Sequence, residues 1–290
     1  MTRHANRHAD RRGDEHDPFL VAASLSGEAD AEWARAAAPY VDCAVMGGIA
    51  LDPASRAAAR DLVERERAEF LPDDPVGWID RQLRTLDDVP VRSGVNVRSA
   101  TVDPVREAAA VCADHGAVCE INAHCRQPEL RAVGCGETLL ADADRLTQYV
   151  ATAAETGATT SVKVRAAVPG VGLVGVAVAV AEAGADWLHV DAMDSEPAVA
   201  DIADAVARRD LDLTVVANNG VRGRETVAEY ADHGADAVSV GRPSDDPRVL
   251  SRVAEAVAEW RETDHIDDDG KRDGEAEREF DSRAESEVSR

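Results

Sequence analysis

Between residues 18 and 262, short apolar runs alternate with longer alanine-rich stretches in a regular order. The short runs are Phe19–Ser24, Val41–Met46, Val91–Val97, Val118–Asn122, Thr160–Arg165, Trp187–Asp191, Leu213–Ala217 and Ala237–Gly241, and runs of this kind predict strands. Helical patterns lie between them, for example Pro53–Phe70, Glu137–Thr156, Glu196–Arg208 and Pro247–Trp260, with an extra short helix near Val76–Leu86. A phrase recurs where helix gives way to strand: Ala-Asp-His-Gly-Ala at 113–117 and 231–235, Ala-Glu-Thr-Gly-Ala at 154–158, and Ala-Glu-Ala-Gly-Ala at 181–185. Its glycine supplies the left-handed residue that ends a helix, and the next residues enter a strand after a tight loop. Strands alternating with helices imply a parallel sheet. Eight β-then-α units in this length predict an α/β fold closed on itself, a (β/α)8 TIM barrel of about 250 residues. No G-x-G-x-x-G follows the first strand, which argues against an open dinucleotide-binding sheet.

The pattern stops at both ends. Residues 1–17 are polar and neutral overall, and from Thr263 onward eleven acids face five bases with few apolar residues. Such segments bury too little surface to offset the entropy of ordering, so the expected organisation is a disordered head over 1–17, a barrel over 18–262 and a disordered acidic tail over 263–290.

The chain carries 32 Lys plus Arg against 56 Asp plus Glu, a net charge of −24. With a neutral head and a tail at −6, residues 18–262 carry −18. Only Lys163 and Lys271 are lysines. A lysine-poor acidic surface fits a protein bathed in molar salt, so a halophilic host is expected. Aromatic residues make up 3% and hydrophobic ones 44%, which implies an aliphatic core. No apolar run reaches the ~20 residues that span a bilayer, and no apolar segment follows the basic head as in a secretory signal. Five cysteines without C-x-x-C spacing fit neither a disulfide framework nor a zinc ribbon. A cytoplasmic protein with reduced thiols, away from membranes, is the expectation.

In such a barrel the chemistry sits at the C-terminal ends of the strands. Strand 5 ends Lys163-Val164-Arg165, with both bases on one face, and Lys163 is the only lysine of the folded unit. A lysine kept where nearly all others are arginine points to a site that needs a compact ammonium, and two buried bases need an anion or an electron-rich ring between them. After strand 7 come Asn218-Asn219-Gly220, and after strand 8 Gly241-Arg242, where barrel loops commonly hold a phosphate. The loop after strand 4 holds Asn122, His124, Cys125 and Arg126, then Gly134-Cys135-Gly136. A free Cys125 beside His124 and Arg126 is a candidate nucleophile, metal ligand or proton donor. Nothing in the spacing of His124, Cys125 and Cys135 demands a metal, and none is expected. His189 on strand 6 is a candidate donor to a ligand carbonyl or phosphate.

These residues match a known pattern. Asn122-Ala123-His124-Cys125-Arg126 followed by Gly134-Cys135-Gly136-Glu137-Thr138-Leu139-Leu140 resembles the N-x-G-C-P…G-x-G-x-x-L-L stretch of the flavin-dependent tRNA-dihydrouridine synthases, nearest to an archaeal branch of that family. Lys163-Val164-Arg165 resembles the family's K-x-R strand, His189 the start of its H-G-R segment, and Ala217–Gly220 and Gly241-Arg242 its N-G-D and G-R phosphate clamps. The likeness runs from about Val91 to Pro243. It implies an FMN-dependent reductase in which Asn96, Lys163 and His189 contact the isoalloxazine and Asn218, Asn219, Gly220, Gly241 and Arg242 hold the phosphate. Reduced flavin, itself reduced by NADH or NADPH, would give a hydride to C6 of a uracil ring while Cys125 protonates C5, with Asn122 and Arg165 orienting the base. The substrate implied is a uridine of tRNA. A free pyrimidine, as in dihydroorotate or dihydropyrimidine dehydrogenases, and a non-redox barrel that only binds flavin or phosphate, are the alternatives. Three departures stand out: His124-Cys125-Arg126 replaces Gly-Cys-Pro, His189-Val190-Asp191 replaces H-G-R, and one helix with an acidic tail follows Pro243 where the family usually adds a tRNA-gripping helical bundle.

Overall fold

The structure, a computed structural model, describes residues 17–193 and 195–263. The expected tails over 1–17 and 263–290 therefore lie outside the described residues, apart from Asp17 and Thr263. Eight parallel strands close into a barrel in sequence order. They are β1 (Phe19–Ala22), β2 (Cys43–Ala50), β3 (Arg92–Arg98), β4 (Val118–Asn122), β5 (Thr159–Arg165), β6 (Trp187–Asp191), β7 (Thr214–Asn218) and β8 (Ala237–Val240). β1 pairs with both β2 and β8, so no edge is left open. The helices are α1 (Ala31–Ala37), α2 (Pro53–Glu64), α3 (Pro75–Thr85), α4 (Asp103–Asp114), α5 (Pro128–Ala132), α6 (Glu137–Leu140), α7 (Ala143–Ala154), α8 (Leu173–Glu182), α9 (Pro197–Arg208) and α10 (Arg224–Asp232), with α11 over 247–263.

The recurring glycines do what their spacing predicts. Gly116, Gly157, Gly184 and Gly234 all have positive φ, between 64° and 100°. At the first of them, Ala117 N–H reaches back to Cys112 O at 2.8 Å, closing the end of α4 before β4 begins. Aspartates open several helices: Asp30, Asp52, Asp74 and Asp142 each accept a backbone N–H in the first turn.

Three elements differ from the sequence reading. The helix expected over Glu137–Thr156 is broken, because Asp142 caps a new start by accepting Arg145 N–H at 3.1 Å. The helix expected over Pro53–Phe70 stops at Glu64, and Glu66 takes a left-handed φ of 60°. Strand β2 runs four residues past Met46, since Gly47 and Gly48 (φ 87° and 85°) form a bulge that lets Ile49 and Ala50 rejoin β3.

The core has two main parts and a smaller cluster of Ala58, Leu62, Leu130 and Cys135 against which Cys125 packs. An aliphatic shell between strands and helices takes the outward-facing residues, such as Cys119, Ile121, Val162, Val164, Leu188 and Val190. Inside the barrel, its N-terminal end is filled by Val21, Cys43, Val45, Val118, Trp187, Val216 and Ala237, with Phe19 packed on Trp187 at 5.1 Å. Two residues further along the strands, the inward positions turn polar: Asn96, Glu120, Ser161, Lys163, His189 and Ser239 are all buried. A cavity of about 380 Å³ lies against Phe19, Cys43, Arg92 and Trp187 at the N-terminal end, away from that polar layer.

Candidate active site

Strand alternation builds the polar layer. On β4, Val118, Glu120 and Asn122 share a face, and on β5 Ser161, Lys163 and Arg165 do the same. Register then brings the strands' offerings side by side, pairing Asn122 with Lys163 and Lys163 with His189.

Glu120 is the hub. It is 1% exposed, and its carboxylate accepts from Asn96 Nδ2 (2.8 Å), Ser161 Oγ (3.2 Å) and His189 Nδ1 (2.7 Å). Burial works against its charge, but His189, Lys163 and Asn96 outweigh it and hold the carboxyl down to about 2. His189 is lowered from its ordinary value by burial first and by Lys163 second. A neutral imidazole satisfies the whole chain of bonds: Nδ1–H donates to Glu120 and Nε2 accepts from Ser239 Oγ at 2.7 Å. Ser239 Oγ in turn accepts from Asn218 Nδ2 at 2.5 Å. On the other side, Asn96 Oδ1 accepts from Asn122 Nδ2 at 2.9 Å, and Asn122 Oδ1 accepts Cys125 N–H at 3.1 Å. One continuous hydrogen-bonded path thus crosses the barrel mouth from the Cys125 loop to the Asn218 turn.

Lys163 stands out in this layer. It is 4% exposed, yet no described residue makes an ion pair or hydrogen bond with its ammonium. Burial lowers its pKa, and Glu120 and Asp191 only partly counter that. Arg165 is held at 3.5 Å by both Glu137 and Asp191. Asn219 turns its side chain onto Asp191 at 3.1 Å.

Cys125 is half-buried, the only one of the five thiols not fully buried. Its loop is fixed from below: Glu137 N–H donates to Cys125 O at 2.9 Å. Gly136 (φ 59°) makes that approach possible, because a Cβ there would fall 2.0 Å from Cys125 O. Cys135, beneath the same loop, is pushed up to about 12 by burial and stays a thiol.

At the β7 and β8 ends, Tyr230 Oη bridges the carbonyls of Asn218 (3.3 Å) and Asn219 (2.8 Å). The amides of Asn219, Gly220, Val221, Gly241 and Arg242 make no hydrogen bond to any described residue. A Cβ built on Gly220 or Gly241 meets nothing within 4 Å. Arg242 is exposed, and Ser244 Oγ beside it is buried without a partner. Unpaired amides, open space and a free guanidinium make an anion cradle.

The sequence-predicted residues Asn96, Asn122, Cys125, Lys163, Arg165, His189, Asn218, Asn219, Gly220, Gly241 and Arg242 all lie at this one end of the barrel. Within it, Asn219 serves Asp191 through its side chain and the cradle only through its amide. Glu120, Ser161 and Ser239 were missed, although period-2 alternation from Asn122 and His189 already put a carboxylate on the inner face. Also missed was Arg98, 2% exposed at the end of β3, which pairs with buried Glu69 at 2.9 Å and with Ser26.

Residues 82–269, well over half of the chain, match the family model described as "Dihydrouridine synthase (Dus)". An uncharacterised protein of Methanocaldococcus jannaschii is 29% identical over 136 residues, 46% of this chain and 53% of that one, so the chain spans about half the length of this relative. Among solved structures, DHODH of Eimeria tenella in complex with ferulenol is similar at TM-score 0.52 and 15% identity, over 64% of this chain and 65% of that one. A 2,3-dimethylmalate lyase is similar at TM-score 0.52 and 18% identity, over 91% and 87%. A chain of the tryptophan synthase complex of Pyrococcus furiosus is similar at TM-score 0.52 and 13% identity, over 84% and 98%. At these identities the structural likenesses establish the barrel alone. Among the described residues no helix is long and apolar enough to cross a membrane.

Proposed function

Because the chain belongs to the dihydrouridine synthase family, and is thereby a flavin-dependent oxidoreductase built on a TIM barrel, we propose that it reduces the C5–C6 double bond of a uracil ring, first of all in a uridine of tRNA. The observation that carries this reading is Lys163, a buried ammonium with no ion pair, in register with Asn122, whose side chain holds the Cys125 loop.

The residues fit FMN. The cradle of free amides at Asn219–Val221 and Gly241–Arg242, with the Arg242 side chain, suits a phosphate dianion. Lys163 suits an electron-rich ring edge that gains negative charge, and Asn96 and His189 line the same layer. When bound and reduced, with NADH or NADPH as the source of electrons, the cofactor supplies the hydride for C6. The chain's own residues do the rest. Lys163 holds the ring edge, Asn122 and Arg165 orient the base, and Glu137 with Asp191 fixes the Arg165 guanidinium. Cys125 delivers its thiol proton to C5, completing addition of H–H across the double bond. The close approach of Gly136 to Cys125 O, and packing of Cys125 against the cluster of Ala58, Leu62, Leu130 and Cys135, hold the thiol's loop in place.

A free pyrimidine is the second reading. It is favoured by the charge of −18 on residues 18–262, since tRNA binding draws on cationic contacts to phosphate. Dihydrouridine content of tRNA from a deletion strain separates the two: loss of the modified base at defined positions supports the first, and unchanged tRNA removes it. A purified protein without a flavin spectrum that takes up no FMN overturns both.

A further inference from the structure

The cradle at the end of β7 is made of backbone, so whatever turns that backbone decides whether an anion can bind. Asn219 and Gly220 both have positive φ, 93° and 71°. Glycine takes such a conformation freely, whereas asparagine pays for it and keeps it only where its surroundings enforce it. Across a trans peptide the carbonyl and the N–H point in opposite directions, and among the described residues no peptide is cis. A contact that holds the Asn219 carbonyl inward therefore turns the Gly220 amide outward. Likewise, a contact on the Asn218 carbonyl turns the amide of Asn219. Asn218 O accepts from Ala192 N–H at 3.0 Å and lies 3.3 Å from Tyr230 Oη. Asn219 O has a single donor among the described residues, the Tyr230 hydroxyl at 2.8 Å.

Tyr230 is not part of the loop it holds. It lies eleven residues further on, in α10, where it is 1% exposed and packed into the aliphatic shell between strands and helices. Its hydroxyl reaches from that shell to the inner side of the loop. On the other side of the same peptide Gly220 is exposed, and a Cβ built there meets nothing within 4 Å.

We propose that Tyr230 is a positioning residue for the flavin phosphate: by donating to Asn219 O it locks the 219–220 peptide with its amide facing the anion. The proposal rests on the reading that this chain binds FMN. Tyr230 itself does not touch the ligand. Phenylalanine at this position keeps the ring and its packing but leaves Asn219 O without its donor. The peptide is then free to leave its left-handed geometry and withdraw the amide from the cradle. The loss falls on the phosphate alone, because Asn96, Lys163 and His189, the residues read as lining the flavin ring, come from β3, β5 and β6.

The test is a titration of apoprotein with FMN and with riboflavin, which has the same ring and no phosphate, followed by flavin fluorescence. The unmodified protein is expected to prefer FMN. Tyr230→Phe is expected to bind FMN about tenfold more weakly, the worth of one charge-assisted amide contact, with its affinity for riboflavin unchanged. A tyrosine that only fills the core would weaken both flavins together, so an unchanged ratio of the two affinities in Tyr230→Phe overturns the proposal. Equal affinity of the unmodified protein for FMN and riboflavin overturns it as well, and that comparison stands even where the variant fails to fold. Absence of any flavin uptake overturns the functional reading itself, a result distinct from uptake without preference.

Discussion

Replacing Glu120 by glutamine changes one oxygen for an NH2 group at the point where three donors converge. The native carboxylate accepts from Asn96, Ser161 and His189. An amide has a single acceptor oxygen, so at least one of those donors faces another donor, and the negative charge that most favours the Lys163 ammonium disappears. The size of the loss follows from linkage. A carboxyl lowered from 4.5 to about 2 on folding binds fewer protons folded than unfolded. That shift is worth about 3 kcal/mol of stability, fully present above pH 4.5 and lost as pH falls from 4.5 toward 2. Glu120→Gln is therefore expected to lower Tm at pH 7 by about 6–12 °C for a domain of this size. The gap between the two proteins should narrow as pH drops below 4.5, because the native carboxylate is then losing the advantage that the variant never had. Urea unfolding at a series of pH values, at one fixed salt concentration, reads this difference directly. Two proteins equally stable at pH 7, or a gap that widens below pH 4.5, would refute the assignment of Glu120 as the ionised hub.

Other changes have distinct signatures. Cys125→Ala should leave the fold and flavin uptake intact while turnover falls by about 10²–10⁴, the usual worth of a placed general acid, and undiminished turnover rules out the proton-donor role. Gly136→Ala should impair both turnover and stability, since its Cβ would stand 2.0 Å from Cys125 O, and a crystal structure would show the Cys125 loop displaced. Lys163→Met should abolish flavin uptake yet raise the Tm of the apoprotein, because it removes an unpaired buried charge. Lys163 binds its proton less well folded than unfolded, so native apoprotein should gain stability as pH rises toward 10.5, a gain that calorimetry should find missing in the variant. Glu69→Ala should cost about 3–5 kcal/mol in denaturant unfolding by stranding the buried Arg98 guanidinium.

Much of this architecture is legible in the sequence for a simple reason. Fully buried parallel strands read as short apolar runs, and a glycine with positive φ at each of Gly116, Gly157, Gly184 and Gly234 punctuates the helices. The failures have equally local causes. The alanine and leucine rhythm through residues 137–154 carries a helical period straight across Asp142, and only the side chain's capping bond shows that one helix ends there and another begins. Gly47 and Gly48 look like a strand terminus, whereas the bulge keeps β2 in register with β3 beyond them. In the site, residues on strand ends were readable because alternation and position suffice to place them. Partnerships between strands were not. The contact of Arg98 with Glu69 depends on how the loop after α2 folds back over 29 residues, and that of His189 with Glu120 spans 69.

The lysine at 163 makes sense only against this set of partnerships. Arginine is the chain's ordinary cation, at 30 of 32 basic residues. A guanidinium in this position would bring five N–H donors into a space whose acceptors are already engaged: Glu120 by three donors, Asp191 by Asn219 and Arg165, Asn96 Oδ1 by Asn122. An ammonium is smaller and asks for fewer acceptors, and a ligand's carbonyl edge can provide them. The folded protein thus tolerates an unpaired buried charge that costs it stability, as expected where a site is shaped for a bound state rather than for the apoprotein. The free amides at Gly220 and Gly241 belong to the same pattern: donors left unmatched, at the end of the barrel opposite the apolar layer of Val21, Val45, Val118, Trp187 and Val216.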